Sequence, residues 1–402
     1  PKLRFPEFLK TDGWRGEKLE KLVTTVNPPV KLQTSSYLLQ GKFPIIDQSQ
    51  DTICGWTNDE STLITESLPL IVFGDHTCTL KFVAKPFAQG ADGIKIIKAK
   101  PVISAAYLFQ SLNHSPLMME DYKRHFSILK ERVVYFPDVK TGEQQKIADC
   151  FSSIDELITL ESQKLDTLKR HKKGLMQQLF PAEGETVPRL RFPEFRDAGE
   201  WTECALGLLT TKIGSGITPI GGDKNYKTEG CPFVRSQNIG WGELILDDVA
   251  FIDEKTHQSF DSTEIKMFDV LLNITGASIG RSAVADSRIA GGNVNQHVCI
   301  IRVRQDKLSP ALLNQFLISE HGQRQIDSFQ AGGNRQGLNF AQIRSFAVPL
   351  PPTEIEQGRI ADHLSSLDEL ITTQTKKIES LKNHKKGLMQ QLFPAPDGFS
   401  AA

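Results

Sequence analysis

Two groups of polar side chains stand where short apolar runs give way to glycine-bearing loops. One is Asp47, Gln48, His76, Thr77 and Lys81; the other is Arg235, Ser236, Asn238, Thr275, Ser278, Arg281, Asn295, Gln296 and Arg335. Their shared chemistry is directional hydrogen bonding. An arginine offers two donors to guanine, an Asn or Gln amide pairs with adenine, and a glycine lets backbone approach a groove. Any one such loop is ordinarily just a turn, so weight falls on several recurring at matching places. Catalytic patterns are missing. No Gly-x4-Gly-Lys-Ser/Thr phosphate loop occurs, and Pro137-Asp138 is not followed by an acidic-x-Lys triplet at a nuclease spacing. Asn27-Pro28-Pro29-Val30 ends in valine where a base-stacking motif needs an aromatic ring, so it reads as a proline-stiffened turn. His76 and His297 are not spaced as metal ligands.

The two groups sit on frames that correspond. Gly41 to Gln48 aligns with Gly230 to Ser236, each a strand start containing proline. Leu70 to Thr77 aligns with Val270 to Arg281, each an apolar strand entering a glycine-bearing polar loop. Gly93 to Ile97 aligns with Gln296 to Ile301, and a helix is expected after each, near Ser104 to Leu112 and Ser309 to Ile326. Ser309-Pro310 is a good N-cap and first-turn pair. The frame is kept while its polar tips change.

What positions both frames is written twice. Glu143 to Ala182 recurs as Glu356 to Ala395, identical at about 27 of 40 positions, and Leu3 to Phe8 recurs as Leu190 to Phe195. In the first copy Ile147, Phe151, Ile154, Ile158, Leu165, Leu168, Leu175 and Leu179 step by four and three, with Glu161 and Lys172 in the gaps. The second copy keeps the seam at Ile360, Leu364, Leu367, Ile371, Ile378, Leu381, Leu388 and Leu392, interrupted by Gln374 and Lys385. Each copy predicts a helix of about 38 residues, roughly 57 Å long. Such a stripe must be buried, most simply by its antiparallel copy. Leu157, Met176, Leu370 and Met389 lie off the seam and read as spare apolar surface for another protein.

Composition bounds the rest. The 402 residues suffice for two or three domains, and the charged fraction of 24% is that of a globular protein. The formal net charge of −1 argues against holding a polyanion unaided. Six scattered cysteines without a Cys-x-x-Cys pair argue against zinc or a disulfide framework. No run approaches a membrane span and no signal peptide opens the chain, so the default expectation is cytoplasmic.

Gly333 to Phe340 running into Val348 to Pro352, then Glu356 to Ala361 and Leu367 to Ile371, make the chain resemble specificity subunits of type I restriction-modification systems. Thr275 to Arg281 with Asn295 to His297, and Phe73 to Thr77 with Gly90 to Gly93, also resemble target-recognition segments of that family. The resemblance implies an α+β chain with two recognition domains in pseudo-twofold arrangement on two antiparallel coiled-coil helices. Residues 1–138 would be the first recognition domain, 139–181 the central helix, 182–351 a linker and the second domain, 352–394 the C-terminal helix and 395–402 a tail. It implies no catalysis on this chain. Each domain would read one half of a split duplex site, and the helices would set the spacing and dock two methyltransferase subunits that carry S-adenosylmethionine. Restriction and translocase subunits using ATP would join the assembled complex. Half-site centres would lie about 10 base pairs apart. Gln330 to Phe340 has no recognisable counterpart before Phe126, which would reserve that loop for the second half-site. The rival is a coiled-coil scaffold whose globular ends bind proteins; its ends should be aromatic and aliphatic, whereas these tips are Gln, Ser, Thr, Asn and Arg.

Overall fold

The structure, a computed structural model, describes residues 1–91, 93–119, 124–219, 221–330 and 337–395. It is α+β, and the chain forms two compact units: residues 1–162 with 376–402, and residues 163–375.

The first unit contains β1 (Arg15–Lys18), β2 (Val23–Val26), β3 (Phe43–Ile46), β4 (Gly55–Thr57), β5 (Leu70–Gly74), β6 (Leu80–Val83), β7 (Ala88–Gln89), β8 (Ile94–Ala99) and β9 (Val133–Phe136). They form a four-stranded sheet in the order β2-β8-β5-β6, a three-stranded sheet β4-β3-β7 and the pair β1-β9. Its short helices are α1 (Leu19–Leu22), α2 (Ala105–His114) and α3 (Phe126–Glu131). The second unit carries β10 (Thr202–Ala205), β11 (Thr210–Ser215), β12 (Cys231–Val234), β13 (Ala250–Ile252), β14 (Val270–Asn273), β15 (Ser282–Val284), β16 (Asn293–Val294), β17 (Val298–Val303) and β18 (Ala347–Leu350). Their orders are β11-β17-β14-β15, β13-β12-β16 and β10-β18. Strand for strand this repeats the first unit, so the frame matched in the sequence is a shared topology.

Period-two alternation between two covered faces explains why β5 is apolar along its length and β14 is apolar up to Asn273. On β5, Ile71 and Phe73 face the helix layer with Tyr107 and Phe151, while Leu70 and Val72 face the small-sheet layer with Ile46 and Phe87. On β14, Val270 and Leu272 lie with Phe316, and Leu271 lies with Val234 and Ile239. Ser104 Oγ accepts from Tyr107 N to cap α2, and Ser309 Oγ does the same for Leu312 N, with Pro310 in the first turn. One expectation needs correcting here. The helix expected from Ser309 to Ile326 is two helices joined at Ser319, which ends one and caps the next by accepting from Gly322 N. After α5 (Glu254–Gln258) these are α6 (Pro310–Ile318) and α7 (Glu320–Ser328), followed by α8 (Phe340–Arg344).

The repeated phrases form α4 (Glu143–Leu179) and α9 (Glu354–Leu392), helices of 37 and 39 residues. In the first unit Lys385 meets Asp155 at 2.6 Å and Lys377 meets Glu161 at 2.5 Å, a descending pairing that makes these helix segments antiparallel. In the second unit Lys172 meets Asp368 at 2.6 Å. Three polar interruptions of the seam, Glu161, Lys172 and Lys385, thus find ionic partners on the facing helix. Gln110 Nε2 donates to Asp155 in one unit and Gln315 Nε2 to Asp368 in the other, which ties α2 and α6 to the long-helix segments of their units.

Two methionines depart from the sequence reading. Met176 and Met389, expected on a free edge, are each 8% exposed and lie in the cores of their own units. The cause is the repeated Leu-Met-Gln-Gln-Leu-Phe ending, which plugs the helix end into the domain. Phe180 packs against Phe316 and Trp201, and Phe393 against Phe151 and Tyr107. Leu157 and Leu370 do stay exposed.

Both sequence echoes meet at the helix starts. Arg4 forks onto Glu143 at 2.8 and 2.5 Å, and Arg191 forks onto Glu356 at 2.7 and 2.8 Å. Leu3 N donates to Gln391 O and Leu190 N to Gln178 O, so each short echo grips the start of one long helix and the end of the other. Gln144 and Gln357 accept from Ser104 N and Ser309 N, fixing α2 and α6 to the same helix starts.

Candidate nucleic-acid interface

In the first unit the loop after β3 and the turn between β5 and β6 form one polar surface. Thr77 Oγ donates to Gln48 O at 2.7 Å, and Gln50 Nε2 donates to Thr79 Oγ at 3.2 Å. Lys81 Nζ donates to the carbonyls of Asp47 and Asp51 at 2.8 and 2.5 Å. With 7% exposure, Lys81 braces the loop rather than projecting from it. Burial pulls its ammonium below the ordinary lysine range, against the opposing charge of Asp47. Burial also pushes the Asp47 carboxyl up, but donors from Ser49 and the Lys81 charge outweigh it and hold it below its usual range. Gly74 is required by close approach: a Cβ there would lie 2.2 Å from Thr77 Oγ. Gln48 and His76 lie half-buried beside Thr77.

Asp75, which the sequence reading passed over, holds this surface to the rest of the unit. It is 4% exposed, its N donates to Gly93 O at 2.6 Å, and its Oδ1 accepts from Phe126 N at 2.8 Å at the start of α3. His125 N donates to Asp75 O as Leu338 N donates to Ile274 O. The backbone entering α3 therefore does correspond to that entering α8, in place if not in sequence.

In the second unit four segments converge. Asn273 Nδ2 donates to Ser236 O at 2.8 Å, Asn295 N to Val234 O at 3.0 Å, Ile274 N to His297 O at 3.0 Å, and Gly216 N to Asn295 O at 3.2 Å. These bonds bring Arg235, Ser236, Thr275, Ser278, Arg281, Asn295 and Gln296 to one end of the two sheets. A relay runs among them: Thr218 Oγ donates to Gln296 Oε1, Gln296 Nε2 donates to His297 Nε2 at 3.0 Å, and His297 Nδ1 meets Thr275 Oγ at 2.6 Å. With Nε2 accepting, the imidazole proton sits on Nδ1 and donates to Thr275, which leaves the threonine hydroxyl proton free to point outward. Arg281 makes no side-chain hydrogen bond or ion pair among the described residues. Arg235 lies over Tyr226 at 5.2 Å and donates to Asp248 O at 2.8 Å. Arg335 lies outside the described residues.

Asn238 is placed differently from the other second-unit side chains. It is 1% exposed; its Oδ1 accepts from Arg235 N at 2.9 Å, and its Nδ2 donates to Ile245 O at 2.9 Å and Asp248 O at 3.2 Å. Its amide is fully spent on bracing the loop that carries Arg235. Asn238→Ala is expected to cost about 1–3 kcal/mol, because three part-buried hydrogen bonds to the loop backbone are lost together. Urea unfolding measures this; a change under about 0.5 kcal/mol, the size of a neutral surface substitution, would remove the bracing role. Gln237 and Asp248, joined at 2.5 Å, complete this patch and carried no signal of spacing or motif.

Comparison with known proteins agrees with this geometry. Residues 200–383 match the family model of the type I restriction modification DNA specificity domain. The type I restriction enzyme MjaVIII specificity subunit of Methanocaldococcus jannaschii is 22% identical over 350 residues, 84% of this chain and 80% of that protein. The putative MjaX specificity subunit of the same organism is 26% identical over 198 residues, 48% of this chain and 45% of that protein. The crystal structure of a type I restriction-modification system S subunit from M. genitalium shares the fold, with a TM-score of 0.69 at 16% identity over 98% of this chain and 99% of that one. These matches make residues 200–383 similar to the type I restriction modification DNA specificity domain, and the chain similar over most of its length to type I restriction enzyme specificity subunits.

Proposed function

We propose that each unit reads one half of a bipartite duplex site, and that the chain directs the chemistry of other subunits without performing any. The observation that carries this reading is the duplication: two polar surfaces of different composition stand at the same place on one repeated topology. Different tips on one frame suit two different half-sites. A formal net charge of −1 fits a chain that shares the grip on DNA with its partners. We assign two methyltransferase subunits to the paired helices, with the exposed Leu157 and Leu370 at equivalent repeat positions as contacts, and place restriction and translocase subunits in the larger assembly.

Arg281 and Arg235 are the guanine readers in this scheme, and Thr275, Ser278 and Gln296 are polar contacts beside them. Asp47, Gln48, His76 and Thr77 do the same work in the first unit, positioned by Lys81. Arg281→Ala is expected to relax the second half-site by about 1–3 kcal/mol and leave the first untouched. Competition binding by the subunit complex, with duplexes randomised in one half-site at a time, checks this. Full discrimination of both half-sites by Arg281→Ala and Arg235→Ala would overturn the assignment. An absence of any duplex preference in the unaltered complex would return the protein-binding scaffold.

A further inference from the structure

Trp241 sits at the tip of a tight turn whose ends, Ile239 and Leu244, bridge one another. It is 52% exposed, whereas Trp201 is 3% exposed. The turn is rigidly held. Gly240 N donates to Glu243 O, Ile245 N to Asn238 O and Gly242 N to Ser282 O, each at 2.9 Å, and Asn238 Nδ2 holds Ile245 O. Gly242 has φ +99°, and a side chain there would meet Ile318 at 3.1 Å, so the turn lies close against α6. The ordering cost of presenting the indole has been met by folding, which favours a contact role.

Its neighbours say what it would contact. Trp241 bridges to Ser282, the residue after Arg281. Asn238 braces this turn and Arg235 together. The indole is thus carried on a turn whose backbone bridges the residue after Arg281 and shares its Asn238 brace with the backbone of Arg235, two residues of the surface argued above to face a duplex. Of the features a major groove presents, the apolar one is the thymine C5-methyl. Building on the DNA-reading function proposed above, we propose that Trp241 is a specificity residue of the second half-site, packing on a thymine methyl adjacent to a guanine addressed by Arg281.

The test uses the complex of this chain with its methyltransferase subunits and a duplex carrying its mapped site. Each thymine of the second half-site is replaced in turn by deoxyuridine, which deletes only the methyl. With the unaltered chain, one replacement is expected to weaken binding about fourfold, the worth of one apolar carbon group. With Trp241→Ala that same replacement should cost nothing further, while Trp241→Phe should keep the penalty. Deoxyuridine in the first half-site should act equally on all three chains. A second half-site without thymine, or an undiminished deoxyuridine penalty in Trp241→Ala, overturns the proposal. Failure of the unaltered complex to bind any duplex selectively would overturn the DNA-reading function itself, a result visible before any substitution at Trp241.

Discussion

Replacing Glu356 by alanine is expected to destabilise the second unit by about 3–5 kcal/mol, the cost of stripping one partner from a buried ion pair. The Glu356 side chain is 0% exposed and the Arg191 side chain 6%, and among the described residues the guanidinium would keep only its bond to Gly199 O. A denaturant midpoint shift at unchanged slope measures this. The pair holds geometry more than it adds net stability, so Arg191→Met with Glu356→Leu should recover most of the loss, because neither charge then needs solvent. The equivalent Glu143→Ala should cost less, since Arg4 is 15% exposed and water can reach it. A loss below about 1 kcal/mol in Glu356→Ala, as expected of a surface pair, would mean that the repeated Leu-Arg-Phe-Pro-Glu-Phe segment is not what secures the helix start.

Phe180→Ala is expected to cost a similar amount, about 3–5 kcal/mol, through lost burial and an unfilled cavity. Phe180 is 3% exposed, with ring centroids 5.9 Å from Phe316 and 6.3 Å from Trp201. Phe393→Ala should act alike in the first unit, where Phe393 lies 5.7 Å from Phe151 and 5.6 Å from Tyr107. If the site collapsed around the missing ring, unfolding would show a loss of about 1 kcal/mol or less, and the plug role of the repeated ending would fail.

The repeat made much of this fold legible. Identical phrases must solve identical packing problems, and Arg4 with Glu143, mirrored by Arg191 with Glu356, shows which problem that was. The continuous burial of β5 and β14 was readable from their apolar runs, because both faces are covered. Periodicity could not place Met176 and Met389. An off-seam methionine looks the same whether it faces solvent or a domain that packs on the helix end. Nor could it show the break at Ser319, where apolar spacing continues through a capping serine. In the candidate site, residue type identified the loops, but not which side chains point inward. Lys81 and Asn238 have the chemistry of readers and the burial of braces, and only tertiary hydrogen bonds distinguish the two. Trp241 carried no motif, and Asp75 lay within the Phe73 to Thr77 resemblance with nothing to mark it as a brace.

Mapping modified adenines across the genome of a methylation-free host expressing this chain with its methyltransferase subunit tests bipartite reading most directly. The expected result is one split motif with a methylated adenine in each half, the second half loosening alone when Arg281 is replaced by alanine. A continuous motif, or modification without sequence preference despite a stable complex, would contradict it.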